Sequence, residues 1–249
     1  MTFTIGYPIH NKGYMIDKIV DGLTRSVDSS HDVTYKFILD GCTDNSKAVL
    51  EGEMARLGDA SYIETPDLFQ LRTNNILMGD FDTDFLIIFQ DDMVLTDTDF
   101  LDNIVKVYDK YGDTLGVLGC RDGFDDGYSN MAGSLFSDSV HREWVLSSGE
   151  HTERMMVNIG PIVFTQRLIK EMGLFDEVYG KGVYEEMEYS LKCHLKGLKN
   201  VVMGVDLIHS KYLRRKPPEV KHTSQDVISD MYNKNITIFR ERWFEIAKI

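Results

Sequence analysis

Apolar and polar positions follow two periods along the first ninety residues. Residues 3–7 form a short apolar, β-prone run that ends in the loop Pro8-Ile9-His10-Asn11-Lys12-Gly13. From there Met15, Ile16, Ile19, Val20 and Leu23 recur at helical spacing. A second strand over 35–39 ends at Asp40-Gly41-Cys42-Thr43-Asp44-Asn45-Ser46, and a helix over 47–57 is closed by Gly58. A third strand at 60–64 and a short helical pattern at 71–78 follow. Residues 84–89 form a continuous apolar strand that stops at Gln90-Asp91-Asp92. A run without alternation is what a strand covered on both faces looks like. The order β-α-β-α-β-α-β predicts an α/β fold with an open, mainly parallel sheet flanked by helices. In such sheets ligands bind beyond the carboxyl ends of the strands. Three polar clusters fall there: His10-Asn11-Lys12, residues 40–46, and Gln90-Asp91-Asp92.

The second half is less regular. Strands are predicted over 115–120, 159–164 and 201–208, the last with His209 at its end, and helices over 166–172 and 185–196. A basic loop, Lys211-Tyr212-Leu213-Arg214-Arg215-Lys216-Pro217-Pro218, precedes a helical tail over 224–247. There is no internal repeat and no low-complexity linker.

Charge changes this picture. The 249 residues carry 27 Lys plus Arg against 40 Asp plus Glu, a formal charge of −13. Such a surface repels phosphate backbones and anionic lipid, which argues against nucleic-acid and membrane partners. No stretch is long and apolar enough to span a bilayer and the first residues lack a signal-peptide pattern, so a soluble cytoplasmic protein is expected. Three cysteines, Cys42, Cys120 and Cys193, with no close pair, fit buried thiols better than a disulfide framework or a zinc site. The acid is concentrated: residues 80–126 hold thirteen aspartates, no glutamate and three basic residues. Asp80-x-Asp82-x-Asp84 is no calcium-binding loop, because Phe85 stands where that loop needs glycine and Asp91 where it needs a bidentate Glu.

Adjacent carboxylates at a strand end, Asp91 and Asp92, either cap a solvated turn or hold a hard divalent cation. With His209 they would suit Mg²⁺ or Mn²⁺, the imidazole favouring Mn²⁺. Tyr184-Glu185-Glu186-Met187-Glu188 opens a helix; its acids either complement the helix dipole or supply a general base.

Taken in order, four segments resemble the family 2 glycosyltransferases of GT-A fold, inverting enzymes that use nucleotide-diphosphate sugars. They are Ile5-Gly6-Tyr7-Pro8-Ile9-His10-Asn11-Lys12, Leu39-Asp40-Gly41-Cys42-Thr43-Asp44-Asn45-Ser46, Phe89-Gln90-Asp91-Asp92-Met93, and Met172-Gly173-Leu174-Phe175-Asp176-Glu177 followed by Tyr184-Glu185-Glu186-Met187-Glu188. The resemblance implies a catalytic domain over 1–210, with a nucleotide-binding half at 1–95 and an acceptor half at 96–210, then the basic loop and helical tail at 211–249. It places Pro8, His10, Asn11, Asp40, Arg72, Gln90, Asp91, Lys211, Arg214 and Arg215 around the nucleotide. It assigns the metal to Asp92, Asp91 and His209, and the general base to Glu186 with Glu185 next. Transfer from a nucleotide-diphosphate donor, UDP-sugar favoured, to a glycan or other acceptor hydroxyl follows from it, with Mn²⁺ or Mg²⁺ as cofactor. Leu39 and Gln90 stand where the family usually has acids, which keeps open a non-catalytic nucleotide-sugar or glycan-binding module on the same fold. A nucleotidyltransferase would carry a glycine-rich loop after the first strand, and residues 8–13 match that poorly. The acceptor would be met by the irregular segment 123–158, with Tyr128, Phe136, His141 and Trp144.

Overall fold

The computed structural model describes residues 1–27, 30–120, 122–124, 132–133, 146–158, 160–210 and 225–247. The expectations for Lys211, Arg214, Arg215 and Lys216, and for Tyr128, Phe136, His141 and Trp144, lie outside the described residues.

The first half folds as its periodicity dictates. β1 (Thr2–Ile9), α1 (Gly13–Ser26), β2 (Asp32–Asp40), α2 (Ser46–Glu53), β3 (Ala60–Thr65), α3 (Phe69–Gly79) and β4 (Phe85–Ile88) succeed one another, with a 3-10 turn Met54–Arg56 after α2. β1, β2, β3 and β4 are mutually parallel. After these come β5 (Met93–Leu95), α4 (Phe100–Tyr111), β6 (Leu115–Gly119), β7 (Asp122–Phe124), β8 (Ala132–Gly133), β9 (His151–Arg154) and β10 (Met156–Val157). β11 (Ile162–Thr165), α5 (Gln166–Met172), α6 (Glu185–Leu195), β12 (Lys199–Met203), β13 (Leu207–His209) and α7 (Gln225–Ala247) complete the chain. The main sheet has eight strands in the order β3-β2-β1-β4-β11-β6-β12-β9, antiparallel only around β11 and at the β9 edge.

Strand alternation sends side chains into two apolar layers. Phe3, Ile5, Tyr7 and Ile9 of β1 join Phe85, Ile87 and Phe89 against α1, α2 and α4. Leu86 and Ile88 of β4 face the other way, with Ile162 and Phe164, against α3, α5, α6 and α7. Both faces of β4 are therefore covered, as its unbroken apolar run requires. Pro8 costs the ladder nothing on its β4 side, because that pairing stops at Gly6↔Ile88.

Two expectations are corrected, and one helix is added to them. The predicted strand over 201–208 is two strands in different sheets, β12 in the main sheet and β13 paired antiparallel with β5. The break is at Gly204, where an added Cβ would collide with the Ser147 and Leu146 carbonyl oxygens, so the chain is pinned and turned by close backbone packing. The strand predicted from 159 starts at Ile162. α4 was not expected; its Phe100, Leu101, Ile104 and Val107 make one buried stripe. Among the described residues no helix is long and apolar enough to cross a membrane.

Candidate functional site

The parallel strands β1, β2 and β4 end at one edge, and that edge gathers most of the chemistry. β11 runs against β4 with Ile162 opposite Ile88, so the start of β11 lies at the same edge. α6 packs on β6 and feeds β12, which runs parallel to β6; its first turn therefore also points to this edge.

The β4 end turns through Gln90, Asp91 and Asp92 into β5. Because β5 pairs with β13, with Met93 opposite His209, two residues far apart in the chain become neighbours. The Ser210 amide donates to the Asp92 carbonyl at 2.7 Å, and His209 Nε2 lies 3.2 Å from Asp92 Oδ2. Two ligands at right angles on an ion with bonds of about 2.1 Å stand about 3.0 Å apart, so this pair has the separation that one small divalent cation needs. Asp91 points elsewhere: its Oδ2 accepts the His10 amide at 2.9 Å, and Lys12 Nζ stands 4.0 Å from its other oxygen. Burial pushes the Asp91 carboxyl up to about 6, against the opposing pull of Lys12. Gln90 packs by its Oε1 against Gly160, where a Cβ would come within 2.6 Å.

The β1 and β2 ends are stitched to each other. Asn11, in the left-handed region at φ 49°, accepts from the amides of Thr43 at 2.7 Å and Asp44 at 3.1 Å through Oδ1. The His10 ring meets the Asp40 carbonyl through Nδ1 at 2.5 Å and Asn11 Nδ2 through Nε2 at 3.0 Å, a pattern that fits the neutral Nδ1–H tautomer. Asp40 is 3% exposed. Its Oδ1 accepts from Thr65 Oγ1 and the Leu68 amide at 2.9 and 2.7 Å, and its Oδ2 from the Phe69 amide at 2.9 Å. Both oxygens are thus engaged in holding the turn that starts α3. Arg72 sits on the exposed side of α3, 3.3 Å from Glu177.

His10, Asp40 and Asp67 offer one ligand atom each, all within 4.8 Å of one another. Two ligands on opposite sides of a small divalent ion are about 4.2 Å apart. With Asp40 committed to α3 and both His10 nitrogens in hydrogen bonds, this triad fits a cation less well than Asp92 with His209.

The first turn of α6 is buried: Glu185 is 1% exposed, Glu186 4% and Glu188 1%. Burial, with the neighbouring Glu186 charge, drives the Glu185 carboxyl well above the usual range. Gln70 Nε2 reaches Glu185 Oε1 at 3.5 Å, and the Leu71 amide meets the Lys181 carbonyl at 3.4 Å, so α3 touches the loop before α6. That loop carries two non-glycine residues at positive φ, Val183 at 75° and Tyr184 at 80°. For a β-branched residue this is a costly conformation, of order 1–3 kcal/mol. Glu188 belongs to a different network. Its Oε1 accepts from Trp243 Nε1 at 2.9 Å and Arg242 Nη1 at 3.0 Å, both on α7. That burial was invisible in a sequence where all three acids read equally well as a first-turn dipole complement.

No protein-family model matches the chain, and no curated protein matches it in sequence. Solved structures do match in shape. GalNAc-T7 with UDP, GalNAc and Mn²⁺ superposes with a TM-score of 0.72 at 14% identity, over 99% of this chain and 50% of that one. The mannosyltransferase PcManGT from Pyrobaculum calidifontis, in complex with GDP-Man and Mn²⁺, gives 0.62 at 14% identity, over 85% and 57%. S. aureus TarS 1–349 in complex with UDP-GlcNAc gives 0.63 at 13% identity, over 93% and 64%. The chain has the GT-A fold. It spans between half and two thirds of the length of these structures.

Proposed function

We propose that this protein is a metal-dependent glycosyltransferase of family 2 that moves a sugar, with inversion, from a nucleotide-diphosphate donor to an acceptor hydroxyl. The observation that carries the reading is the Asp92–His209 pair, 3.2 Å apart, assembled by the β5–β13 ladder at the edge where α6 presents its acids. The solved structures of the same fold hold UDP-sugar or GDP-sugar donors or Mn²⁺, which favours a donor of that kind here; UDP-sugar is the first choice.

Asp92 and His209 would hold Mn²⁺ or Mg²⁺, with Asp91 behind them at the β1 loop. When bound, the cation supplies charge that stabilises a leaving diphosphate. The protein's own part is positional and acid–base. Glu186, in the first turn of α6, takes the proton of the acceptor hydroxyl, and Glu185 beside it keeps one proton in the pair at neutral pH. Pro8, His10, Asn11 and Asp40 shape the nucleotide end, Asp40 by fixing the start of α3 and with it Gln70 and Arg72. Gln90 gives a neutral amide in place of an acid, lowering the charge at the donor site. Lys211, Arg214 and Arg215 carry cationic charge in the segment that follows His209 and complement the diphosphate.

The test is a thermal-shift panel of UDP- and GDP-sugars with and without Mn²⁺, followed by product analysis. Stabilisation by a donor only with metal, abolished in Asp92→Asn, is the expected result. Glu186→Gln should keep donor binding and lose turnover by 10²-fold or more, the range of a general base. Wild-type turnover in Glu186→Gln moves the base elsewhere, and metal-dependent donor binding without transfer to any acceptor is the outcome that favours a binding module.

A further inference from the structure

Helix α6 starts in an unusual way. Its N-cap, Tyr184, is in the left-handed region and accepts no capping hydrogen bond by its side chain. Helices more often begin with a Ser, Thr, Asp or Asn whose oxygen caps the first turn. Before it, Gly182 at φ 127°, Val183 at 75° and Tyr184 at 80° make three consecutive positive-φ residues. The loop's own residues therefore do not account for the conformation that aims Glu185 and Glu186, and something outside it must impose the shape.

Beside the α3 contacts of Gln70 and Leu71, that outside support comes from α7. Asn235, 2% exposed in its middle, donates through Nδ2 to the carbonyls of Tyr179 at 2.9 Å, Gly182 at 2.6 Å and Val183 at 3.1 Å. Two amide hydrogens thus serve three carbonyls, two of them flanking Val183. One turn away on each side of Asn235, Tyr232 and Phe239 hold the Tyr184 ring, with centroids at 5.3 and 5.4 Å. Trp243 and Arg242 reach the same helix one turn further in, at Glu188. These contacts fall on residues 179–188, and Arg242 reaches back to Asp176 as well, at 2.9 Å.

We propose that Asn235 is a positioning residue: its amide clamps the left-handed 182–184 loop and thereby sets the direction of the Glu185–Glu186 pair. The chemistry assigned to that pair rests on the glycosyltransferase reading, but the clamp itself does not. Removing the amide donor lets the loop relax toward ordinary backbone angles and swings the first turn of α6 away from an acceptor, while the nucleotide end keeps its own supports from Asp40, Asn11 and the β5–β13 ladder.

The experiment compares wild type with Asn235→Ala, Asn235→Asp and, as a control on the exposed side of α7, Lys234→Ala. Hydrogen exchange is read at the amides of residues 182–186 and 92–95, with Mn²⁺-dependent donor Kd, KM and kcat for the donor chosen by the thermal-shift panel. The expected result is faster exchange by tenfold or more at 182–186 in both Asn235 variants, unchanged exchange at 92–95, kcat down tenfold or more, and Kd within twofold. Asn235→Asp keeps the volume but sets a carboxylate against three carbonyls, so it should be no better than Asn235→Ala; Lys234→Ala should match wild type. Unchanged exchange at 182–186, or exchange and Kd altered equally at both segments, overturns the inference. A wild-type protein that binds no donor with metal overturns the enzymatic reading instead, and leaves the exchange result to decide the clamp.

Discussion

Two carboxylates in adjacent positions of one buried helix turn cannot both ionise without a large penalty, and Glu185 is 1% exposed beside Glu186 at 4%. Glu185 is held well above its ordinary value by burial first and the Glu186 charge second. A carboxyl whose folded pKa is raised keeps a proton that the unfolded chain has lost, so folding binds protons in that window and stability falls as pH rises beyond the ordinary glutamate range. Glu185→Gln removes the proton requirement. Its melting temperature should approach that of wild type near pH 4 and exceed it by a growing margin toward pH 8, at about 2–4 °C per kcal/mol for a chain of this size. Calorimetry across that range checks the sign; a margin that shrinks with rising pH reverses the assignment. Asp40 shows how residue identity and residue role separate. Its position at the end of β2 is plain in the sequence, but its engagement with Leu68 and Phe69 amides depends on how β3 returns beside β2, and no local spacing encodes that.

Elements carry their own predictions. Trp243 of α7 gives its indole N–H to Glu188, whose side chain is 2% exposed. Trp243→Phe keeps an aromatic ring and deletes one hydrogen bond to a buried carboxyl group, for a loss of about 1.5–3 kcal/mol in denaturant unfolding. α1 supports the Asp92–His209 pair from behind: a Cβ at Gly22 would stand 2.6 Å from the Leu95 carbonyl oxygen and 2.8 Å from Val94 Cγ1. Gly22→Ala should displace β5 and weaken Mn²⁺ binding by several-fold, a shift that titration calorimetry reads, although Gly22 touches neither Asp92 nor His209. The helices and strands of residues 2–88 were legible because each buries one regular stripe and its neighbours in sequence are its neighbours in space. Around Gly204 the pattern misled: an apolar run over 201–208 looks like one strand, and only the carbonyls of Leu146 and Ser147 packed against Gly204 divide it.

At the scale of the whole molecule, the charge of −13 opposes any anionic donor. Donor affinity without divalent cation should therefore be at least tenfold weaker. It should improve as monovalent salt is raised toward physiological strength, because screening relieves the long-range repulsion. The candidate site was legible in part. Asp91, Asp92, Glu185, Glu186 and His209 stand out as residue types at element ends, whereas the clamp at Asn235 has no signal beyond an Asn inside a helical tail.

The β5–β13 ladder also dictates when Asp92 and His209 can meet. Thr96 donates through its hydroxyl to the Asp206 carbonyl, 110 positions further along the chain, so closure of this small sheet is among the most non-local events in the fold. During synthesis the parallel strands β1 to β4 can pair long before residue 209 leaves the ribosome. Through that interval Asp92 lacks its His209 partner. The proposed Asp92–His209 metal site is therefore a late one: it can hold an ion tightly only after residue 209 has been made and β13 has closed on β5.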